Sequence, residues 1–95
     1  MAVAGKATLF YPSDVPRVFD WNGYRFFVFS NEGDPREPVH VHVRKAGHVA
    51  KFWLEPEIRL ASSWGFSSAD LTALEKIVTE RHSDIRKAWH DHFDH

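Results

Sequence analysis

An α+β fold is what this sequence predicts: an antiparallel sheet of three to five strands, a meander of hairpins, packed by a long C-terminal helix. Three observations predict it. Val39-His40-Val41-His42-Val43-Arg44 alternates apolar with ionisable residues at the strand period of two. Asn22-Gly23 and Ala46-Gly47 each divide runs of β-branched and aromatic residues, as hairpin turns do. From Leu71 onward, Leu74, Ile77, Val78, Ile85, Trp89 and Phe93 recur at helical spacing.

The 95 residues suit one domain with one core, and a hydrophobic fraction of 43% with 15% aromatics is that of a folded chain. A formal charge of −1 argues against wholesale coating of nucleic acid, though not against a local basic patch. The absence of cysteine excludes disulfides and thiolate zinc sites and suits a reducing compartment. Seven histidines make the charge sensitive to mildly acidic pH. There is no apolar run of signal-peptide or membrane-spanning length, so a cytoplasmic location away from the membrane is expected.

Residues 1–16, punctuated by Pro12 and Pro16, read as a flexible or weakly ordered N-terminal segment, with a short strand over residues 8–11 as the alternative. Residues 17–95 form the single α+β domain. Asn22-Gly23 joins a first strand at Arg17–Trp21 to a run from Tyr24 to Ser30. That run is apolar on both faces, Phe26 and Val28 on one and Phe27 and Phe29 on the other, which suits a central strand. An acidic, Gly- and Pro-marked loop follows over residues 31–38.

A two-residue turn at Ala46-Gly47 sets Val43 opposite Ala50, Val41 opposite Phe52 and Val39 opposite Leu54. The other face then carries His42 opposite Lys51, His40 opposite Trp53, and Arg44 beside Val49. A slip of one residue would set Lys51 and Glu55 against the valines, so the pattern favours this register. Residues 56–66 read as a connector with a short edge strand at 58–61. Ser67 with Asp70 has nearly the form of a capping box. His82 falls on the apolar helical stripe and is expected half-buried, while Ser83-Asp84 marks a kink or a second helix near residues 81–84.

His40 and His42 are close enough for two imidazoles to meet one metal ion, with Glu32 as a further ligand, His82 and the tail histidines being others. Arg44 and Lys51 beside them oppose that: unit charges about 5 Å apart repel by roughly 1 kcal/mol even in water. No metal or other cofactor is therefore expected. The same cations, with Trp53 as a flat wall, suit an anion: a phosphate, a nucleic-acid backbone or an acidic protein patch. Against this stands a solvated sheet face, or one covered by the preceding loop with Glu32 or Glu37 pairing the histidines. As an acid–base pair the two histidines also suit a metal-independent ribonuclease. The histidine-triad hydrolase pattern fails, because Arg44 stands at its third position.

Tyr24 to Ser30, Asn31-Glu32, Pro38-Val39-His40-Val41-His42-Val43, Ala50-Lys51-Phe52-Trp53-Leu54, Gly65-Phe66 and Ala88-Trp89-His90, in that order, resemble the bacterial family named domain of unknown function 4160. The likeness runs from about Pro16 to Phe93, with Glu37 where the family usually has a proline, and with a longer loop before it. It implies a small stand-alone protein whose gene often sits beside another small one, as in a toxin–antitoxin pair. It also marks Asn31, Glu32, His40 and His42 as the functional set, without a catalytic role for any.

The leading expectation is thus a binding module of a toxin–antitoxin-like pair, with Asn31, Glu32, His40, His42, Arg44, Lys51 and Trp53 as binding residues. Its partner would be a small protein from a neighbouring gene, or RNA or DNA. The alternatives are a ribonuclease using His40 and His42, and a metal-binding domain. A homodimer, through strand edges or an aromatic patch, is a further expectation.

Overall fold

The structure, a computed structural model, describes residues 17–28 and 37–93. Five strands follow one another in an antiparallel meander, each hydrogen-bonded to its sequence neighbour: β1 (Arg17–Trp21), β2 (Tyr24–Phe27), β3 (His40–Lys45), β4 (His48–Trp53) and β5 (Arg59–Trp64). Two helices, α1 (Ser68–Glu80) and α2 (His82–Phe93), complete the α+β fold the sequence predicts. The expectations for residues 1–16 lie outside the described residues.

Both tight turns place their two central residues at positive φ, the requirement of a two-residue hairpin. Asn22 and Gly23 stand at 50° and 83°, Ala46 and Gly47 at 50° and 85°. The β3–β4 register is the one the alternation dictates, with His40 opposite Trp53, His42 opposite Lys51 and Val43 opposite Ala50. β2 packs on the other side of β3, setting Phe27 opposite His42 and Phe26 opposite Val43.

One face of the sheet is the core. Phe26, Val28, Val41, Val43, Phe52 and Leu54 are fully buried there with Leu74 and Val78 of α1 and Ile85 and Trp89 of α2. α1 opens with a complete capping box: Ser67 Oγ accepts from the Asp70 N–H at 3.1 Å, and Asp70 Oδ2 accepts from the Ser67 N–H at 3.2 Å. Each bond satisfies a backbone donor that the first helical turn leaves orphaned.

Two elements differ from expectation. β5 runs six residues, Arg59–Trp64, beyond the short strand at 58–61. Its pairing shifts by one residue at Ala61, between Lys51 opposite Ser62 and Phe52 opposite Leu60, so its side chains do not alternate evenly along the sequence. His82 is exposed. Arg81, at φ −110° and ψ 20°, interrupts the helix, and the apolar stripe passes from Val78 to Ile85 without residue 82.

Candidate functional site

The period of β3 turns His40, His42 and Arg44 to the face opposite its valines, although at the start of the strand His40 still meets Trp89 of α2. Cross-strand pairing adds Trp53, Lys51 and Val49 from β4, Phe27 and Arg25 from β2, and Arg59, Ser62 and Trp64 from β5. Of the expected binding residues, His40, His42, Arg44, Lys51 and Trp53 share this surface, whereas Asn31 and Glu32 lie outside the described residues.

The two histidines occupy different environments. His40 has no solvent-accessible surface, and His42 is half-buried. Among the described residues the rings of Trp89, His42 and Trp53 meet His40 edge-on, at 4.8, 5.2 and 5.5 Å between centroids. Its Nδ1–H donates to the Pro38 carbonyl oxygen at 2.9 Å; a carbonyl only accepts, so this bond fixes the proton on Nδ1 in the neutral ring. The Phe27 ring, itself buried, lies stacked on His42 at 5.6 Å with 20° between planes. Packing of this kind orders imidazoles. It also denies His40 direct contact with a phosphodiester.

Glu37, just before β3, reaches back over the same face. Its Oε1 accepts from Lys51 Nζ at 2.8 Å and lies 3.9 Å from His40 Nδ1. The Lys51 hydrogen bond holds the Glu37 carboxyl below its ordinary value of 4.5, opposed by slight desolvation and aided by the charges of Lys51, His40 and His42. Lys51 Nζ also sits 4.4 Å over the Trp53 ring, a cation–π distance. The ammonium the sequence offers to an anion is thus already held by a carboxylate and an indole.

A depression of about 210 Å³ opens beside His42, lined by Val49, Ala50, Lys51, Ser62, Ser63 and Trp64. Trp64 is 68% exposed and Val49 45%. A larger open cleft of about 710 Å³ lies between Glu37, Glu55, Trp89 and His90. Both its carboxylates are paired, Glu37 with Lys51 and Glu55 with Arg86 Nη1 at 2.8 Å. Among the described residues no group of three or more His, Asp or Glu side chains is placed to hold a metal ion. Nor, among them, is any helix long and apolar enough to cross a membrane.

Sequence reasoning missed Trp89 as a wall of the His40 pocket, because α2 and β3 are far apart in the chain and no periodicity links them. Trp64 passed as a connector residue for want of alternation around it.

No curated protein and no solved structure matches this chain. One family does: its sequence model covers residues 23–90, from the first hairpin turn to the end of the His40 pocket. The chain belongs to the family described as Domain of unknown function (DUF4160).

Proposed function

We propose that this protein is a protein-binding module whose sheet face around His42, Arg44 and Val49 docks an acidic patch of a small partner protein. The carrying observation is a local charge imbalance. Among the described residues the sheet face opposite the valine core carries Arg17, Arg25, Arg44, Lys51 and Arg59 against Asp20 and Glu37, while the whole chain is at −1. Such a surface attracts an acidic partner and orients its approach. The exposed Val49 and Trp64 at its margin supply the apolar contact on which protein interfaces depend for most of their affinity.

Nucleic acid fits less well. Phosphate recognition draws on many cations at once, and Lys51 is committed to Glu37 and Trp53. The buried, carbonyl-bound His40 weighs against a ribonuclease in which both histidines touch substrate. The two-gene arrangement that the resemblance implies makes the neighbouring gene's product the first partner to test, in a toxin–antitoxin-like pair. The experiment is co-expression with that product, followed by calorimetric titration. A stoichiometric complex, weakened tenfold or more by Arg44→Glu in a variant that folds normally, supports the reading. RNA co-purifying in place of the protein, or unchanged affinity in Arg44→Glu, overturns it.

A further inference from the structure

Among the described residues the two edge strands of the sheet, β1 and β5, are built differently. β1 is guarded: Arg17 Nη1 and Asp20 Oδ2 pair at 3.1 Å along it, its register shifts between Arg17 and Phe19, and Arg81 lies 3.9 Å over the Phe19 ring. Charge is a usual device against edge-to-edge pairing; a register shift is common to both edges, since β5 has its own at Ala61. β5 carries Leu60-Ala61-Ser62-Ser63 between Arg59 and Trp64, with no proline and no charge in the middle. The exposed large hydrophobic side chains among the described residues, Val49, Leu60 and Trp64, all lie on β5 or on β4 beside it.

We infer that the β5 edge is a homodimerisation surface, where a second copy of this chain adds its own β5 antiparallel about a twofold axis between Ala61 and Ser62. The strand is self-complementary in that register. Arg59 falls opposite Trp64 of the second copy, and Leu60 opposite Ser63, with small residues at the centre where the backbones approach most closely.

The shift at Ala61 makes this work. Arg59 and Trp64 are an odd number of residues apart and would face opposite ways in a regular strand. Here they pair with Trp53 and Val49, which share a face, so both point away from the helices. A twofold axis perpendicular to the sheet keeps them on that face. Each guanidinium then meets the partner's exposed indole, a cation–π pair at either end. The two Arg59 charges end up roughly 16 Å apart at about 3.3 Å per residue. That is beyond the screening length of about 8 Å at physiological ionic strength. The product is a single ten-stranded sheet with the two proposed binding faces side by side. The dimer surface shares Arg59 and Trp64 with the face proposed above but does not rest on that reading, and the tests separate them: Arg44→Glu reports on the partner, Ser62→Lys on the dimer.

Sedimentation or light scattering of the purified chain, from micromolar to millimolar, tests the inference. The expected mass is twice the 11.0 kDa of one chain, falling to one chain in Ser62→Lys, which sets like charges together at the axis. Trp64→Ala should raise the dissociation constant roughly tenfold or more. Because the chain has no cysteine, Ser62→Cys introduces a lone thiol that oxidises to a linked dimer only if the two axes of the strands meet there. Ser83→Cys, exposed at the start of α2, is the control. A monomer throughout, a dimer undiminished in the folded Ser62→Lys and Trp64→Ala variants, or equal cross-linking of Cys at 62 and 83 overturns the inference.

Discussion

Glu37 Oε1 stands 2.8 Å from Lys51 Nζ, tying the segment that enters β3 to the middle of β4. Glu37 is 42% exposed and Lys51 20%, so the pair is screened on one side only, and about 0.5 kcal/mol is a fair magnitude for it.

The pair carries a pH signature. Lys51 lowers the Glu37 carboxyl below 4.5 in the folded chain, so the unfolded chain binds its proton first as pH falls. The contribution is therefore full above 4.5 and fades as pH falls through the lower folded value. Glu37→Gln should melt slightly below the parent at pH 7, with the difference shrinking towards zero in strong acid. Paired thermal melts from neutral to acid pH check this; a gap that stays constant would contradict it.

The two histidines should separate in a stability assay. His40→Ala empties a fully buried site and orphans the Pro38 carbonyl, a loss of about 3 kcal/mol. His42→Ala removes a half-buried ring stacked on Phe27 and should cost about 1 kcal/mol or less. Urea titrations of the two variants measure the difference directly. Equal costs would show that the pocket around His40 is looser than its geometry implies.

Gly65 ends β5 at a φ of +94°, where an added Cβ would stand 2.7 Å from His48 Cγ. The strained backbone and the clash act together, and Gly65→Ala should lose about 2 kcal/mol. His48→Ala in the same chain removes the ring from the clash but leaves its Cβ at 3.2 Å and the strained backbone, so the double variant should regain only part of the loss. Full recovery would remove the backbone from the account.

Much of the sheet was legible because an alternating strand with one apolar face admits one register. Val39, Val41 and Val43 demanded Leu54, Phe52 and Ala50 opposite them, and they have them or adjoin them in the core. The Ser67–Asp70 cap was legible for a similar reason, being local chemistry. What depends on distant parts of the chain was not. The burial of His40 needs Trp89, and the full length of β5 is set by pairing to β4 rather than by its own pattern. His82 misled because a stripe read as continuous ignores the interruption at Arg81. Of the candidate site, the residues of one face were readable, but not that Lys51 is already engaged nor that one imidazole is sealed in.

The meander has a bearing on how the chain folds. Among the described residues every strand pairs with its sequence neighbour, so the sheet can form from contacts near in the chain, with only the connection from β2 to β3 longer than a tight turn or short linker. Its valine face, however, is covered among those residues by Leu74, Val78, Ile85 and Trp89 of the two helices that follow the sheet. The sheet's apolar face is therefore completed by helices that follow it in the chain, and the sheet alone is a sticky, one-sided layer.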